Sequence, residues 1–350
     1  MGNKDTILLG EDTVMTHRIA LLLAASVFPG LAAPLPALAQ KIYTVTQVQG
    51  IQSSGRVGVN ERSMVAGEIY TPTGDYNAYA WYKGQLSSLG HLPGDSFSGA
   101  YSINSRGQIV GESYSALTDQ PVLWYQGAIN PLGLQPGYLY GAADALNDNG
   151  QAAGPCTNDP LYVTTEATLW DHGAIVDLAP LSGDTSSFAT AINNRGQVVG
   201  ISGFFGQSRG ETWIEGVGNE LAGLGGGNTL PIGINNQGQI VGTSLSSDGN
   251  EYAVLWQAGT LSLLPGLPGA TYSLAYSIND NGLIVGRSGL DPGDVHAVLW
   301  DSEGVHDLND LIPSGSGWLL QNAKTINERG QIFGFGLLHG SFSAFLLTPK

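Results

Sequence analysis

The chain has 350 residues, 51 of them glycine, with 42% hydrophobic and only 12% charged residues. So much apolar and aromatic content describes a folded Gly-rich chain, not a disordered one. A net charge of −16, with 13 scattered basic residues, excludes the clustered cationic surface that nucleic acid needs, and the single cysteine, Cys156, excludes a disulfide framework and a Cys-built metal site.

The N-terminal segment reads as an address. His17 and Arg18 precede an apolar run from Ile19 to Phe28, and Ala37-Leu38-Ala39 is a small-x-small cleavage site. That is the pattern of a secretory signal peptide over residues 1–39, with Met15 a candidate start. The apolar run is too short for a stable membrane span. "MGNKDT" fits a myristoylation pattern, which the export signal contradicts. No Cys follows the cleavage site for a lipid anchor, and no second apolar span follows residue 40. The expectation is an exported protein, extracellular or periplasmic, with residues 40–350 forming one domain that needs no cofactor.

From residue 57 onward one phrase recurs. It reads "VGVNERSMVAG" (57–67), "AYSINSRGQIVG" (100–111), "ADALNDNGQAAG" (143–154), "ATAINNRGQVVG" (189–200), "PIGINNQGQIVG" (231–242), "AYSINDNGLIVG" (275–286) and "AKTINERGQIFG" (323–334). The aligned asparagines are Asn60, Asn104, Asn147, Asn193, Asn235, Asn279 and Asn327, spaced by 44, 43, 46, 42, 44 and 48 residues. Seven copies at a near-constant period are the signature of a repeat architecture. A second landmark follows each asparagine by about 20 residues. It is the "HAVLW" type of segment, with Trp81, Trp124, Trp170, Trp213, Trp256 and Trp300 in step and "SAFLL" (343–347) in the seventh copy.

Each period predicts four short strands. Strand A ends at the asparagine, and Asn-x-x-Gly is hairpin-turn chemistry, with Gly at the position that takes positive φ. "NDNG" at 147–150 and 279–282 hints at calcium, but the acidic spacing of a calcium loop is absent. Strand B is "QIVGxS", strand C is the Trp segment, and strand D is a Leu-rich run ending in a Pro/Gly turn such as "LGHLPG" (89–94). Four antiparallel strands at a period near 44 predict an all-β, seven-bladed β-propeller. The last copy lacks strand D, while "KIYTVTQVQG" (41–50) is a spare strand. Ile42–Val48 is therefore predicted to dock beside Ser343–Leu347 and complete the seventh blade, leaving no long sheet edge exposed.

The "HAxLW" segment, the "INxxGQIVG" hairpin and the terminal "SAFLLTP" (343–349) resemble the HAF-repeat family of bacterial extracellular proteins, over roughly residues 51–349. The resemblance implies secretion and a repeat architecture, and no catalytic residues.

The residues carry no clear catalytic signature of their own. "GQSRG" (206–210) has the form of a hydrolase elbow, which requires a strand-to-helix turn that the repeat does not offer. No carboxylate pair of the glycosidase kind stands out. His296 and His339, with Asp291 and Asp294, are the set that would converge for metal or acid–base chemistry. The strand-C tryptophans hold a fixed repeat position and read as packing between blades. The variable D–A connections carry Phe97, Tyr138, Tyr140, Phe188, Tyr272 and Trp318, and the B–C connections add Tyr114, Phe204, Phe205 and Tyr252. In a propeller these connections share one face, and scaffolds hold function on variable loops. Phe97, Tyr138, Tyr140, Phe188, Tyr272, Trp318 and His296 are therefore the candidate ligand-binding residues of a non-catalytic module. The ligand class is a glycan or another cell-surface polymer, or a cell-surface protein. The alternatives are an extracellular polysaccharide hydrolase or lyase on the same scaffold, and a structural envelope or matrix protein.

Overall fold

The computed structural model describes residues 43–51, 56–70, 76–203, 207–290 and 294–350. The N-terminal segment read as a signal peptide, together with Ile42, Phe204, Phe205 and Asp291, lies outside them. The described chain is built from seven antiparallel sheets arranged as a β-propeller, six of them following the A–B–C–D order of one repeat. Blade 2 is representative, with strand A at Phe97–Ile103, B at Ile109–Tyr114, C at Asp119–Tyr125 and D at Ala128–Pro131. Among the described residues helical structure amounts to one short 3-10 turn, Leu308–Leu311, and no helix is long and apolar enough to cross a membrane.

Blade 7 consists of Trp318–Ile326, Ile332–Leu338 and Ser341–Pro349. Its fourth strand comes from the other end of the sequence. Tyr43–Val48 pairs antiparallel with the last strand, from Tyr43 opposite Pro349 to Val48 opposite Ala344. Tyr43 and Val48 point to opposite faces of the strand and are buried in two different inter-blade clusters, one shared with blade 6 and the other with blade 1. Burial of one residue at each end of the strand, on opposite faces, thus anchors its register.

The repeated tryptophans do join blades. All six are buried, and five send the indole N–H back to a carbonyl of the preceding blade. Trp170 donates to Gly133, Trp213 to Ala179, Trp256 to Ala222 and Trp300 to Pro265 at 2.7–2.9 Å, and Trp124 to Gly90 at 3.3 Å. Burying the ring while satisfying its one donor is what allows so large a residue at every inter-blade seam.

Asn-x-x-Gly is a turn, as predicted, and it does more. Asn104 shows the pattern. Its Oδ1 accepts from the backbone N–H of Arg106 and Gln108 at 3.1 and 3.0 Å, which holds the turn. Its Nδ2 donates to the backbone carbonyl of Asn147 in the next blade at 3.0 Å. The same bond runs Asn60 to Asn104, Asn147 to Asn193, Asn193 to Asn235, Asn235 to Asn279, Asn279 to Asn327, and from Asn327 back to Asn60 at 2.8 Å. Every one of these side chains is at most 4% exposed. A buried amide with both ends satisfied is stable, and one left unpaired costs about 1–3 kcal/mol. Seven such amides therefore tie the A–B turns into a girdle around the axis.

Strand A lines the axis, and it carries a β-bulge at one constant position. The register with strand B slips at Tyr101, Thr190, Ile232, Tyr276 and Lys324. Each lies three residues before its asparagine. In blade 3 the strand is split at the same place, around Asp144, into Tyr140–Gly141 and Ala145–Leu146. A bulge inserts an unpaired residue and re-aims its side chain. All six of these residues line the central cavity, of about 680 Å³.

Candidate binding site

Two cavities open around the axis. The central one is walled by strand A of every blade. A second, of about 500 Å³, lies at the B–C and D–A connections of blades 2 to 4 and is lined in part by Tyr114, Asp119, Tyr140, Tyr162 and Phe188. Arg56 and Phe188 line both. This is the face on which the sequence placed function.

Between the two cavities sits a cluster of charges. Asp144, bulged from strand A of blade 3, is 8% exposed. It is bonded to the Arg56 guanidinium, whose side chain is half exposed. Arg56 also lies over the rings of Tyr101 and Phe188, 5.0 and 5.5 Å from their centroids. Two cation–π contacts help to hold a planar guanidinium in place. Tyr101, the bulge residue of blade 2, donates to Glu112 at 2.5 Å. Tyr162 reaches from blade 3 to donate to the Asp119 carboxylate of blade 2, and it does so from a backbone φ of +55°. That left-handed conformation is costly for a tyrosine, and such strain concentrates at functional sites.

The carboxyls do not behave as ordinary surface acids. Burial pushes Glu112 up to about 8, with the nearby Asp119 charge adding to it and the Tyr101 hydroxyl and Arg56 opposing. Burial pushes Asp119 up to about 7, opposed by the Tyr162 hydroxyl. Asp144 rises to about 6 by burial, with Arg56 pulling it down. Desolvation disfavours the charged form, so these groups hold protons further toward neutral pH than a surface carboxylate does. Asp119 Oδ1 and Asp144 Oδ2 are buried and accept no hydrogen bond among the described residues. They are buried acceptors whose hydrogen-bonding capacity the described residues leave unused.

The sequence candidates divide. Phe188 and Tyr140 line the second cavity. Phe97 begins strand A of blade 2, and its ring packs on Tyr114 at 5.2 Å, where Tyr114 in turn lines the cavity. Tyr272 begins strand A of blade 6, with the Arg287 guanidinium 5.8 Å above its ring. Tyr138 packs on the buried cluster around Cys156 and Trp170. Trp318 packs edge-on against Phe345 at 5.9 Å in the blade 6–7 core. Tyr138 and Trp318 therefore act as packing groups. Phe97, Tyr140, Phe188, Tyr272 and Trp318 all belong to strand A itself, not to the loop before it.

His296 stands apart from these residues. It lies in strand C of blade 6, Val295–Asp301, two strands out from the axis, and lines neither cavity. Its Nδ1 is engaged by Asp307, which also caps the 3-10 turn by accepting from Asn309 N–H at 2.9 Å. The imidazole braces an edge turn. His339 stands at φ +50° in the turn before the last strand, and no cluster of three metal-binding side chains occurs among the described residues. In "GQSRG", Ser208 is followed by a strand, Arg209–Ile214, not the helix a nucleophile elbow needs. Tyr252 donates to Asp248 at 2.9 Å in its own turn.

The sequence reading missed the carboxyl cluster. Glu112, Asp119 and Asp144 are spread over 33 positions, and no local motif joins them. A signal was nonetheless present. In the recurring phrase, the residue three before the asparagine runs Val57, Tyr101, Asp144, Thr190, Ile232, Tyr276, Lys324. This column mixes apolar, aromatic, acidic and basic residues, and it is the bulge position of strand A.

No protein-family model matches the chain, and no curated protein matches it. Solved structures do. An oligogalacturonate lyase in complex with manganese is 11% identical over 89% of this chain and 96% of that one, with a TM-score of 0.56. The β-propeller domain of the Trilobed protease from Pyrococcus furiosus is 10% identical over 88% and 95%, TM-score 0.56. The RRP9 WD40 repeats are 14% identical over 89% and 99%, TM-score 0.55. What they share with this chain is the propeller frame. Lyase, protease domain and WD40 protein use it for different ends, so the likeness establishes fold alone.

Proposed function

We propose that this is an exported propeller of the HAF-repeat kind that binds a hydroxyl-rich ligand, a glycan, in the cavity at blades 2 to 4. The observation that carries the reading is a pairing of ring faces with a carboxyl group that has an unpartnered oxygen. Tyr114, Tyr140 and Phe188 line the cavity beside Asp119, whose Oδ1 is buried and accepts no bond among the described residues. Sugars present C–H patches to aromatic rings and O–H donors to carboxylates, and a few fixed polar groups set orientation. Phe97 supports the site from behind Tyr114.

The test is a pull-down of residues 40–350 on cellulose, chitin and peptidoglycan. Wild type is run beside Tyr140→Ala and Asp119→Asn, with circular dichroism confirming the fold of each. Retention of the wild type, cut at least tenfold in both variants, is the expected result. Retention unchanged in both removes the cavity from the reading, and no retention on any polymer shifts it to a protein partner. Export is checked separately by intact-mass analysis of the protein recovered outside the cytoplasm, where a chain beginning at Gln40 is expected.

One observation favours a second reading, a polysaccharide hydrolase or lyase. Glu112 and Asp119, raised to about 8 and about 7, line the same cavity. A carboxyl that keeps its proton near neutral pH is suited to general-acid work. Release of reducing ends or unsaturated products from a retained polymer would identify it.

A further inference from the structure

The charged cluster at blades 2 and 3 has a counterpart at blades 6 and 7 with the sign reversed. Three repeat positions define it. The bulge residue is Tyr101 in blade 2 and Tyr276 in blade 6. The residue after the strand-B glycine is Glu112 in blade 2 and Arg287 in blade 6. The bulge residue of the following blade is Asp144 in blade 3 and Lys324 in blade 7. A Tyr–Glu–Asp set at blades 2 and 3 thus becomes Tyr–Arg–Lys at blades 6 and 7.

The acidic set contains its own counter-ion, since Arg56 lies among Tyr101, Glu112 and Asp144. The basic set has none among the described residues. Neither Lys324 nor Arg287 enters an ion pair there. The Lys324 ammonium lies over the Tyr276 ring, 4.8 Å from its centroid. The Arg287 guanidinium covers Tyr272, and its buried Nε donates to no partner. Burial, and then the Arg287 charge, push Lys324 down from the usual lysine range. In a chain with 29 acidic residues against 13 basic ones, two cations on packed strands of blades 6 and 7, neither of them in an ion pair among the described residues although Asp280 and Glu328 line the same central cavity as Lys324, are a marked departure. Buried charges are ordinarily paired, and a desolvated Arg–Lys pair is the chemistry that captures an oxyanion.

We infer that Lys324, on the wall of the central cavity, and Arg287, on the blade 6 strand B that packs against the Lys324 strand, form an anion subsite flanked by Tyr276, and that it takes the carboxylate of an acidic saccharide. The saccharide assignment rests on the glycan reading above; the anion subsite does not. Arg287 supplies planar N–H donors and Lys324 a point charge.

The experiment is isothermal titration of residues 40–350 with three probes: an oligogalacturonate, its fully methyl-esterified form, and inorganic phosphate. Wild type is compared with Lys324→Met and Arg287→Met, and with Lys324→Arg in case the methionine variants fold poorly. The free acid is expected to bind the wild type at least tenfold more tightly than the ester. Both methionine variants should erase that difference while leaving the ester's affinity in place, and Lys324→Arg should keep most of it. Equal binding of acid and ester to the wild type overturns the subsite and leaves the glycan reading standing. Binding of phosphate alone, lost in the methionine variants, keeps the anion subsite and overturns its saccharide ligand. No binding of any probe overturns both.

Discussion

Gly242→Ala is expected to destabilise the protein by about 3 kcal/mol, the upper end of what overpacking a core costs. A Cβ placed there would lie 2.0 Å from the Leu230 carbonyl oxygen on strand A of the same blade. The collision recurs at every equivalent glycine of blades 2 to 7. Gly111 meets the Gly99 carbonyl at 1.9 Å, Gly154 that of Ala142 at 2.1 Å, Gly200 that of Phe188 at 1.9 Å, Gly286 that of Leu274 at 1.9 Å and Gly334 that of Asn322 at 2.1 Å. The cause is the bulge. Inserting an extra residue into strand A swings the backbone just before it onto strand B, and only glycine leaves room. The partner is backbone held in a sheet, so no side chain can turn away to relieve the contact. Gly259→Ala is the control. It lies in an exposed turn at φ +76° with nothing within 4 Å of a new Cβ, so only backbone strain of about 1 kcal/mol is expected. In thermal unfolding the first variant should lose roughly 6–10 °C and the second a few degrees, scaled for a chain of this size. Equal losses would mean that the bulged strand yields easily and that the glycine answers to flexibility alone.

This pairing of bulge and glycine explains why the repeat phrase was so legible and its purpose was not. The period, the strand order and the spare N-terminal strand follow from residues that recur, because recurrence is what a repeated sheet demands. "INxxGQIVG" reads correctly as strand, turn and strand. Nothing in one sequence says that its asparagine bonds a carbonyl 42 to 48 residues away, or that its last glycine makes space for a bulge. Both are contacts between elements whose distance in space a periodic pattern does not encode. The site followed the opposite rule. Aromatic residues near the D–A connections drew attention because they are large, yet Tyr138 and Trp318 serve the core. The charged residues that line the cavities sit at bulge positions and beside strand-B glycines, where a strand pattern predicts packing. Tyr101, Asp144 and Lys324 are visible only when the copies are stacked and the odd column is read downward.

The second large effect is on the pH dependence of stability, and Glu112→Gln exposes it. In the unfolded chain Glu112 titrates near 4.3, as model peptides do. In the folded protein burial holds it at about 8. The native state therefore binds more protons than the unfolded state between these values, and stability falls as pH rises through that window. It is fully present below pH 4, declines from pH 4 to 8, and is level above 8. Asp119 at about 7, Asp144 at about 6, Glu211 at about 7 and Glu328 at about 7 act with the same sign. Wild type should accordingly unfold at a lower temperature at pH 9 than at pH 5. Glutamine keeps an oxygen to accept from Tyr101 and matches the neutral acid in shape, so the variant should equal wild type at pH 5. At pH 9 it should be more stable by roughly 2 kcal/mol, a value reduced from the full linkage figure because the cavity side of Glu112 is open to solvent. Denaturant unfolding at the two pH values reads this directly. A variant that is weaker by the same amount at both would mean that Glu112 is ionised in the native protein, paired to Arg56 as a fixed charge. That result would also remove it as a proton donor, because an acid already dissociated at pH 5 has no proton to give a leaving group at neutral pH. One stability profile thus bears on both readings of the cavity, before any ligand is known.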